Sequence, residues 1–308
     1  MMYQPDVCTW REGLNLELSR AYKRVESLDA EAIDDLGSQL GPIYDKAKAD
    51  DDLATFKGLC ASSDLYRVLS ADPYTLRARE KPRGYAGDAV MLDYIYRPLS
   101  RHLTGIANVL HSATTGSSNA QSIIWRRNFL ADQIIKTLKR PEPRILSVAS
   151  GHMRELDVVR VATRNRTFHL TAMDQDEASL RQCVADYPDF SISPICENVL
   201  AILRNRITLD RYDLIYSAGL FDYLNDRTAS ALAKALLSLL APGGSLVIGN
   251  FNPENHGRGF MEGFMDWKLI LRDEKAMTRL LETDVAVEVP RSFRDAIGNV
   301  SYLEITRR

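Results

Sequence analysis

From Trp10 to Leu69 apolar residues return every three or four positions, the remaining faces are charged, and almost nothing alternates with period two. The spacing predicts helices over Trp10 to Val25, Ala30 to Leu40, Ile43 to Asp50, Asp52 to Ser62 and Ser63 to Leu69. Past Arg140 the pattern changes. Short apolar runs at Ile145 to Val148, Phe168 to Met173, Ile192 to Cys196, Tyr212 to Ser217 and Ser245 to Asn250 read as strands. Helical spacing fills the gaps, most clearly from Thr228 to Leu240, and Ala241-Pro-Gly-Gly244 reads as its stop. Strand alternating with helix at this pace predicts an α/β fold with a doubly wound, mostly parallel sheet. The tail, Val285 to Val289 and Val300 to Ile305 around Arg291 to Asn299, reads as an antiparallel hairpin closing the sheet edge. The expected division is a helical N-terminal lid or accessory region over 1–118 and a ligand-binding domain over 119–308.

The first strand runs into the small-residue turn Ala149-Ser150-Gly151 and then a helix from Glu155, an arrangement that lets backbone approach a ligand closely. One glycine does not meet the dinucleotide pattern G-x-G-x-x-G. Asp174 closes the second strand roughly twenty residues on, where an acid accepts both hydroxyls of a ribose; Asp174 and Asp176 also stand where they could cap a helix. Gln175 follows it. Asn198 and Val199, after the third strand, fall on the adenine side or in a turn, and Ser217-Ala218-Gly219 lies just past the fourth strand, where ligands bind in parallel sheets.

On these residues the chain resembles the class I S-adenosylmethionine-dependent methyltransferases over roughly residues 120 to 308. Leu146-Ser-Val-Ala-Ser-Gly151 stands at their glycine-rich first motif, Met173-Asp174 at the ribose acid, and Leu239-Leu-Ala-Pro-Gly-Gly-Ser-Leu-Val247 looks like their L-x-P-G-G-x-L segment. Ser150 and His152 depart from the usual neighbours in that first motif. The resemblance implies a seven-stranded Rossmann-like methyltransferase sheet and S-adenosyl-L-methionine as cofactor, held by Ala149, Ser150, Gly151, Asp174, Gln175, Asn198, Val199, Ser217, Ala218 and Gly219. Lys81-Pro-Arg-Gly-Tyr-Ala-Gly-Asp88, Ser217-Ala-Gly-Leu-Phe-Asp-Tyr-Leu224 and Gly249-Asn-Phe251 with Met261-Glu262 and Asp266-Trp267 further resemble bacterial methyltransferase-like proteins tied to 3-hydroxy fatty acid methyl ester formation. The few glycines then suit a sulfonium nucleoside, which has no pyrophosphate to cradle.

The Asp72 to Asp88 segment, dense in proline, glycine, arginine and tyrosine, reads as a functional loop or a structural tie before a helix at Ala89 to Tyr96. Tyr85 in it, with Tyr216 and Tyr223 around strand four, offers aromatic faces to a sulfonium cation; Phe221 is either a neighbour of these or core. Asn250 is the further candidate at the reacting end, and these four, Tyr85, Tyr216, Tyr223 and Asn250, are the expected catalytic set. Glu262 and Asp266 would share one face of an amphipathic helix from Phe260 to Leu271, binding an ammonium or simply solvated, and His256 is a loop histidine that is either a general base or merely exposed.

With 39 basic against 41 acidic residues there is no global field for nucleic acid, so the expected partner is a small molecule, with a homodimer as a further possibility. The apolar runs are short and the N-terminus lacks a signal pattern, which predicts a cytoplasmic protein without a membrane partner. The four cysteines, Cys8, Cys60, Cys183 and Cys196, have no ligand spacing and read as buried free thiols, with no metal expected. Three activities fit: methyl transfer to a carboxylate or amine enclosed by the helical lid; cyclisation of S-adenosylmethionine to azetidine-2-carboxylate with release of methylthioadenosine, as in enzymes of similar fold; and non-catalytic binding. In the cyclisation the tyrosines and Asn250 would hold the amino acid end bent.

Overall fold

A computed structural model describes residues 9–163, 168–281 and 286–308. The chain divides into two compact units, one of the residues up to Gln121 with His256–Lys268, the other of Ser122–Asn255 with Leu269–Arg308. His256–Lys268 thus lies in the first unit, whereas the sequence predicts a single domain over 119–308.

The first unit is helical. Trp10–Glu26 begins at Thr9, whose hydroxyl accepts the Glu12 N–H while the Glu12 carboxylate takes the Thr9 N–H, and its buried stripe is Trp10, Leu14, Leu18, Ala21 and Val25. Two expected helices are one: Ala32–Ala49 runs through Pro42. The proline costs a backbone bond, about 3 kcal/mol, and the buried Leu36, Leu40, Tyr44 and Ala47 on both sides of it offset that loss. Leu53–Ser62 and Asp64–Val68 follow the predicted spacing. Within the expected loop, Pro73–Glu80 is a helix, capped by Asp72 and begun by a proline at a position that needs no donor. Asp72 also takes the Nδ1–H of His111 at 2.8 Å, the tautomer being fixed because His111 Nε2 accepts the Leu99 N–H. Ala89–Tyr96 is capped by Asp88, which accepts the Met91 N–H at 2.9 Å and pairs with Arg77.

The helix in His256–Lys268 spans Arg258–Phe264 and ends earlier than predicted. A Cβ on Gly259 would meet Leu40 O at 2.8 Å and one on Gly263 would meet Cys60 Sγ at 2.8 Å, so the two glycines permit its close approach to Ala32–Ala49 and Leu53–Ser62. Glu262 and Asp266 do not form a paired carboxylate site. Glu262 accepts from Tyr44 Oη at 2.6 Å, while Asp266 lies past the helix end with φ 45° and pairs with Lys57 and Lys81.

The second unit is built on seven strands: β1 Arg144–Val148, β2 His169–Asp174, β3 Ser191–Cys196, β4 Tyr212–Ser217, β5 Leu240–Phe251, β6 Arg291–Arg294 and β7 Val300–Thr306. Their order is β3-β2-β1-β4-β5-β7-β6, with only the pairings to β7 antiparallel. This is the Rossmann-like methyltransferase fold. Leu146, Val148, Ile215, Leu246, Ile248, Leu303 and Ile305 are buried in the core against Ala229, Leu232, Ala233, Leu236 and Leu237 of the helix Asp226–Ser238.

Three details differ from the sequence expectation. The Ala241–Gly244 segment belongs to β5, where pairing jumps from Tyr212↔Leu240 to Leu214↔Ser245 in a bulge that Gly243, at φ 69°, makes accessible. The hairpin partner of β7 is Arg291–Arg294, because Asp295 Oδ1 accepts the N–H groups of Gly298, Asn299 and Val300 and closes a tight turn there. Val287 makes an isolated bridge to Arg307, and Val285 lies outside the described residues. Cys60 and Cys183 are buried, but Cys196 is exposed because β3 is an edge strand; Cys8 lies outside the described residues. No helix among the described residues is long and apolar enough to cross a membrane.

Candidate functional site

β1 pairs with β2 on one side and β4 on the other, so the crossovers diverge there and open a crevice beyond the carboxyl ends of β1 and β4. The β1 turn has an unusual backbone. Ala149, Gly151 and Met153 all have positive φ, at 55°, 56° and 51°. Two of these positions carry side chains, each costing ~1–2 kcal/mol in this conformation, and the surrounding contacts must impose it. Those contacts converge on β2. Ser150 N–H donates to Met173 O at 3.1 Å, and Gly151 N–H donates to Asp174 Oδ2 at 2.8 Å. Asp174 Oδ1 accepts the Asp176 N–H at 2.9 Å. Burial raises the Asp174 carboxyl from its ordinary value, against the Asp176, Gly151 and Gln175 backbone donors that lower it.

The sequence-selected cofactor residues in this unit therefore cluster. Ser150 Oγ is buried and, among the described residues, has no hydrogen-bond partner. Gln175 and Asn198 are exposed and joined, Asn198 Nδ2 donating to Gln175 Oε1 at 2.8 Å, and Asn198 Oδ1 caps the turn at Leu200 with Val199 buried between them. Ser217 Oγ donates to Val148 O at 3.1 Å, tying the ends of β4 and β1. The Ala218 carbonyl accepts from Arg126 Nη1 at 2.7 Å, and Gly219 lies beside the same guanidinium.

The expected catalytic residues divide differently. Tyr85 belongs to the first unit and is half-buried in its loop. Tyr216 is buried and donates to Glu155 Oε1 at 2.6 Å, with burial pushing both the phenol and the carboxyl up. Its hydroxyl braces the helix that follows the β1 turn, Glu155–Ala162. Asn250 is fully buried: Nδ2 donates to Phe251 O and Ile270 O at 2.8 and 2.9 Å, and Oδ1 accepts from Arg272 at 2.9 Å. Both of its amide donors serve the backbone. Tyr223 is exposed, Phe221 is core, and His256 is exposed in the first unit.

Sequence reasoning missed three groups. Arg272 is buried and binds Phe221 O, Leu224 O, Asn250 Oδ1 and Asp226, fixing the loop after β4. Asp222 in that loop accepts the Phe251 N–H at 2.7 Å, and burial raises it to about 7, against the Phe251 N–H, Arg126 and Arg272, which lower it. Arg126 is the third. Only the acid inside Leu220-Phe-Asp-Tyr223, between apolar neighbours, gave a sequence signal.

No family model matches the chain, and no curated protein matches it. Among solved structures the chain is similar to a possible exported protein from Bordetella parapertussis, at 18% identity over 71% of this chain and 79% of that one, with a TM-score of 0.57. That is a likeness of fold. Weaker likenesses are to magnesium protoporphyrin IX methyltransferase ChlM from Synechocystis PCC 6803 with bound S-adenosylhomocysteine, at 12% identity, 71% and 98% coverage and TM-score 0.48. Another is the N-methyltransferase NodS from Bradyrhizobium japonicum WM9 in complex with S-adenosylhomocysteine, at 17% identity, 59% and 87% coverage and TM-score 0.43.

Proposed function

We propose that the protein is an S-adenosyl-L-methionine-dependent methyltransferase acting on a small-molecule carboxylate or amine. The carrying observation is the convergence on Asp174, whose carboxylate closes β2, holds the Gly151 and Asp176 N–H groups and anchors the left-handed turn after β1. The orphaned Ser150 hydroxyl in that turn fits a polar ligand and has no use in the packed core. Ala149, Ser150 and Gly151 would face the cofactor's chain, Asp174 its ribose, Asn198 and Val199 its adenine, and Ser217 to Gly219 its amino acid end. When bound, the cofactor supplies a sulfonium-activated methyl group.

The chain's own work is then positional. The strained turn holds the Ser150 hydroxyl in place, and the Tyr216–Glu155 and Asn250–Arg272 contacts hold the strand ends still. A carboxylate acceptor needs no base, and an amine only loses a proton after attack. Tyr216 and Asn250 are two of the residues, with Tyr85 and Tyr223, that would bend the amino acid end for cyclisation. Their engagement with Glu155 and Arg272 favours methyl transfer over that reading.

Incubation of the protein with S-adenosylmethionine and a small-molecule extract, followed by nucleoside analysis, tests this. S-adenosylhomocysteine formed only when extract is present is expected. Methylthioadenosine formed at a catalytic rate without extract would replace methyl transfer with cyclisation, and absence of both nucleosides would count against an enzyme.

A further inference from the structure

The turn between β6 and β7 holds buried polar side chains to which methyl transfer assigns no task. Phe251 of β5 lies opposite Val300 of β7, so this turn stands at the pole of the sheet where β1, β4 and β5 also end. Further along β7 the packing is aromatic, with Tyr302 against the rings of Trp125, Phe129 and Phe293. At the end of the sheet it is polar instead: Ser122, Asn252, Asn255, Asp295, Asn299 and Ser301 are all buried.

Most of these groups answer one another. Asn252 Nδ2 donates to Gly298 O at 2.6 Å, Asn255 Nδ2 to Asn252 O at 2.9 Å and Asn299 Nδ2 to Ser122 Oγ at 3.2 Å. Asp295, 4% exposed, is answered on one oxygen only. Its Oδ1 accepts the N–H groups of Gly298, Asn299 and Val300 at 2.7, 2.9 and 3.3 Å, whereas Oδ2 is buried and has no hydrogen-bond partner among the described residues. The three backbone donors pin the carboxylate, so Oδ2 keeps its direction. Arg294, next in the chain, is turned to Glu254 and Glu274. The Ser301 hydroxyl is buried without a partner among the described residues and so does not reach Asp295 either.

A carboxylate oxygen only accepts, so whatever completes this one must donate, and a bare buried one is costly to keep. A protonated nitrogen supplies both the donor and the opposite charge. Resting on the methyl-transfer reading, we propose that Asp295 Oδ2 anchors a cationic nitrogen of the acceptor, remote from the atom that reacts, which narrows the substrate to amine-bearing small molecules. The turn is two strand spacings from β4, roughly 10 Å, so a small molecule held there reaches the crevice beyond β4. An acceptor whose one charge is a carboxylate leaves the oxygen unpaired and sets a like charge beside it.

The test separates a small-molecule extract on a cation exchanger at neutral pH and gives each fraction to the full chain with S-adenosylmethionine. S-adenosylhomocysteine is expected from the retained, salt-eluted fraction and not from the flow-through. Asp295→Asn keeps an acceptor for the turn but sets an amide donor toward the cation. It is expected to raise the amount of retained fraction needed for half-maximal rate at least about tenfold, with S-adenosylhomocysteine affinity by calorimetry unchanged. Product from the flow-through alone, or an unchanged half-maximal amount in the variant, overturns the anchor and leaves methyl transfer standing. A variant that loses S-adenosylhomocysteine affinity as well also overturns it, since Asp295 then serves the fold. Product from neither fraction counts against the methyl-transfer reading itself, and the anchor falls with it.

Discussion

Replacing Arg272 with leucine removes the side chain that ties the loop after β4 to the end of β5. Its Nη1 donates to Phe221 O at 2.8 Å and Asn250 Oδ1 at 2.9 Å, and its Nη2 to Leu224 O at 2.6 Å and Asp226 Oδ1 at 2.7 Å. The ion pair is the smaller part: Asp226 is 83% exposed, which limits its share to ~0–1 kcal/mol. The larger part is the stranding of buried Asn250 Oδ1, at ~1–3 kcal/mol, while Phe221 O keeps the Leu224 N–H at 3.1 Å and loses only its second donor. Arg272→Leu should therefore destabilise the protein by about 3 kcal/mol. Arg272→Lys should recover less than half, since one ammonium cannot span four separate acceptors. Urea unfolding followed by circular dichroism reads both, from the shift in midpoint at unchanged slope. A loss below ~1 kcal/mol for the leucine variant would refute the reasoning, because it would mean water reaches Asn250 Oδ1.

Three further outcomes are expected. Ala149→Gly should leave unfolding stability unchanged or raise it by up to ~1 kcal/mol, and Ala149→Val should lower it by more than ~1 kcal/mol, because φ at this residue is 55°; the reverse order would remove the strained turn from the account. Asp222 is raised to about 7 by burial, against the Phe251 N–H, Arg126 and Arg272, so the folded chain keeps a proton that the unfolded chain has already released. Stability from this group is full at low pH and falls as pH rises from about 4 to the folded value, by ~1.4 kcal/mol per pH unit; a difference curve between wild type and Asp222→Asn that is flat over that window contradicts it. Finally, peptide mapping after brief alkylation of the native protein should find Cys196 modified ahead of Cys60 and Cys183, whose thiols burial pushes up to about 12; equal labelling of all three would disagree.

The sheet was legible because buried strands advertise themselves: Tyr212 to Ser217 matched β4 residue for residue. Pro42 and the Ala241–Gly244 segment misled for a shared reason. Local breaker chemistry argued for a stop, and packing on both sides carried the element through. Asp72-Pro73 was the opposite case, a cap and a first-turn proline hidden in a segment that composition marked as loop. In the site, the turn, Asp174 and Ser217 follow from strand ends alone. For Tyr216 and Asn250 the sequence carries a place on a strand but not the Glu155 and backbone partners that their polar atoms hold. Arg126 and Arg272 were invisible for the same reason, since an arginine in a helix or loop shows its partners only when the chain is folded.

Hydrogen–deuterium exchange with and without saturating S-adenosylhomocysteine tests the central claim most directly, because it reports where the nucleoside sits. Slower exchange is expected at the β1 turn from Ser150 to Arg154, at Asp174 to Asp176, at Asn198 to Leu200 and at Ser217 to Gly219. Unchanged exchange in those four segments under saturating ligand, or slowing confined to other parts of the chain, would contradict a cofactor site at the ends of β1, β2 and β4.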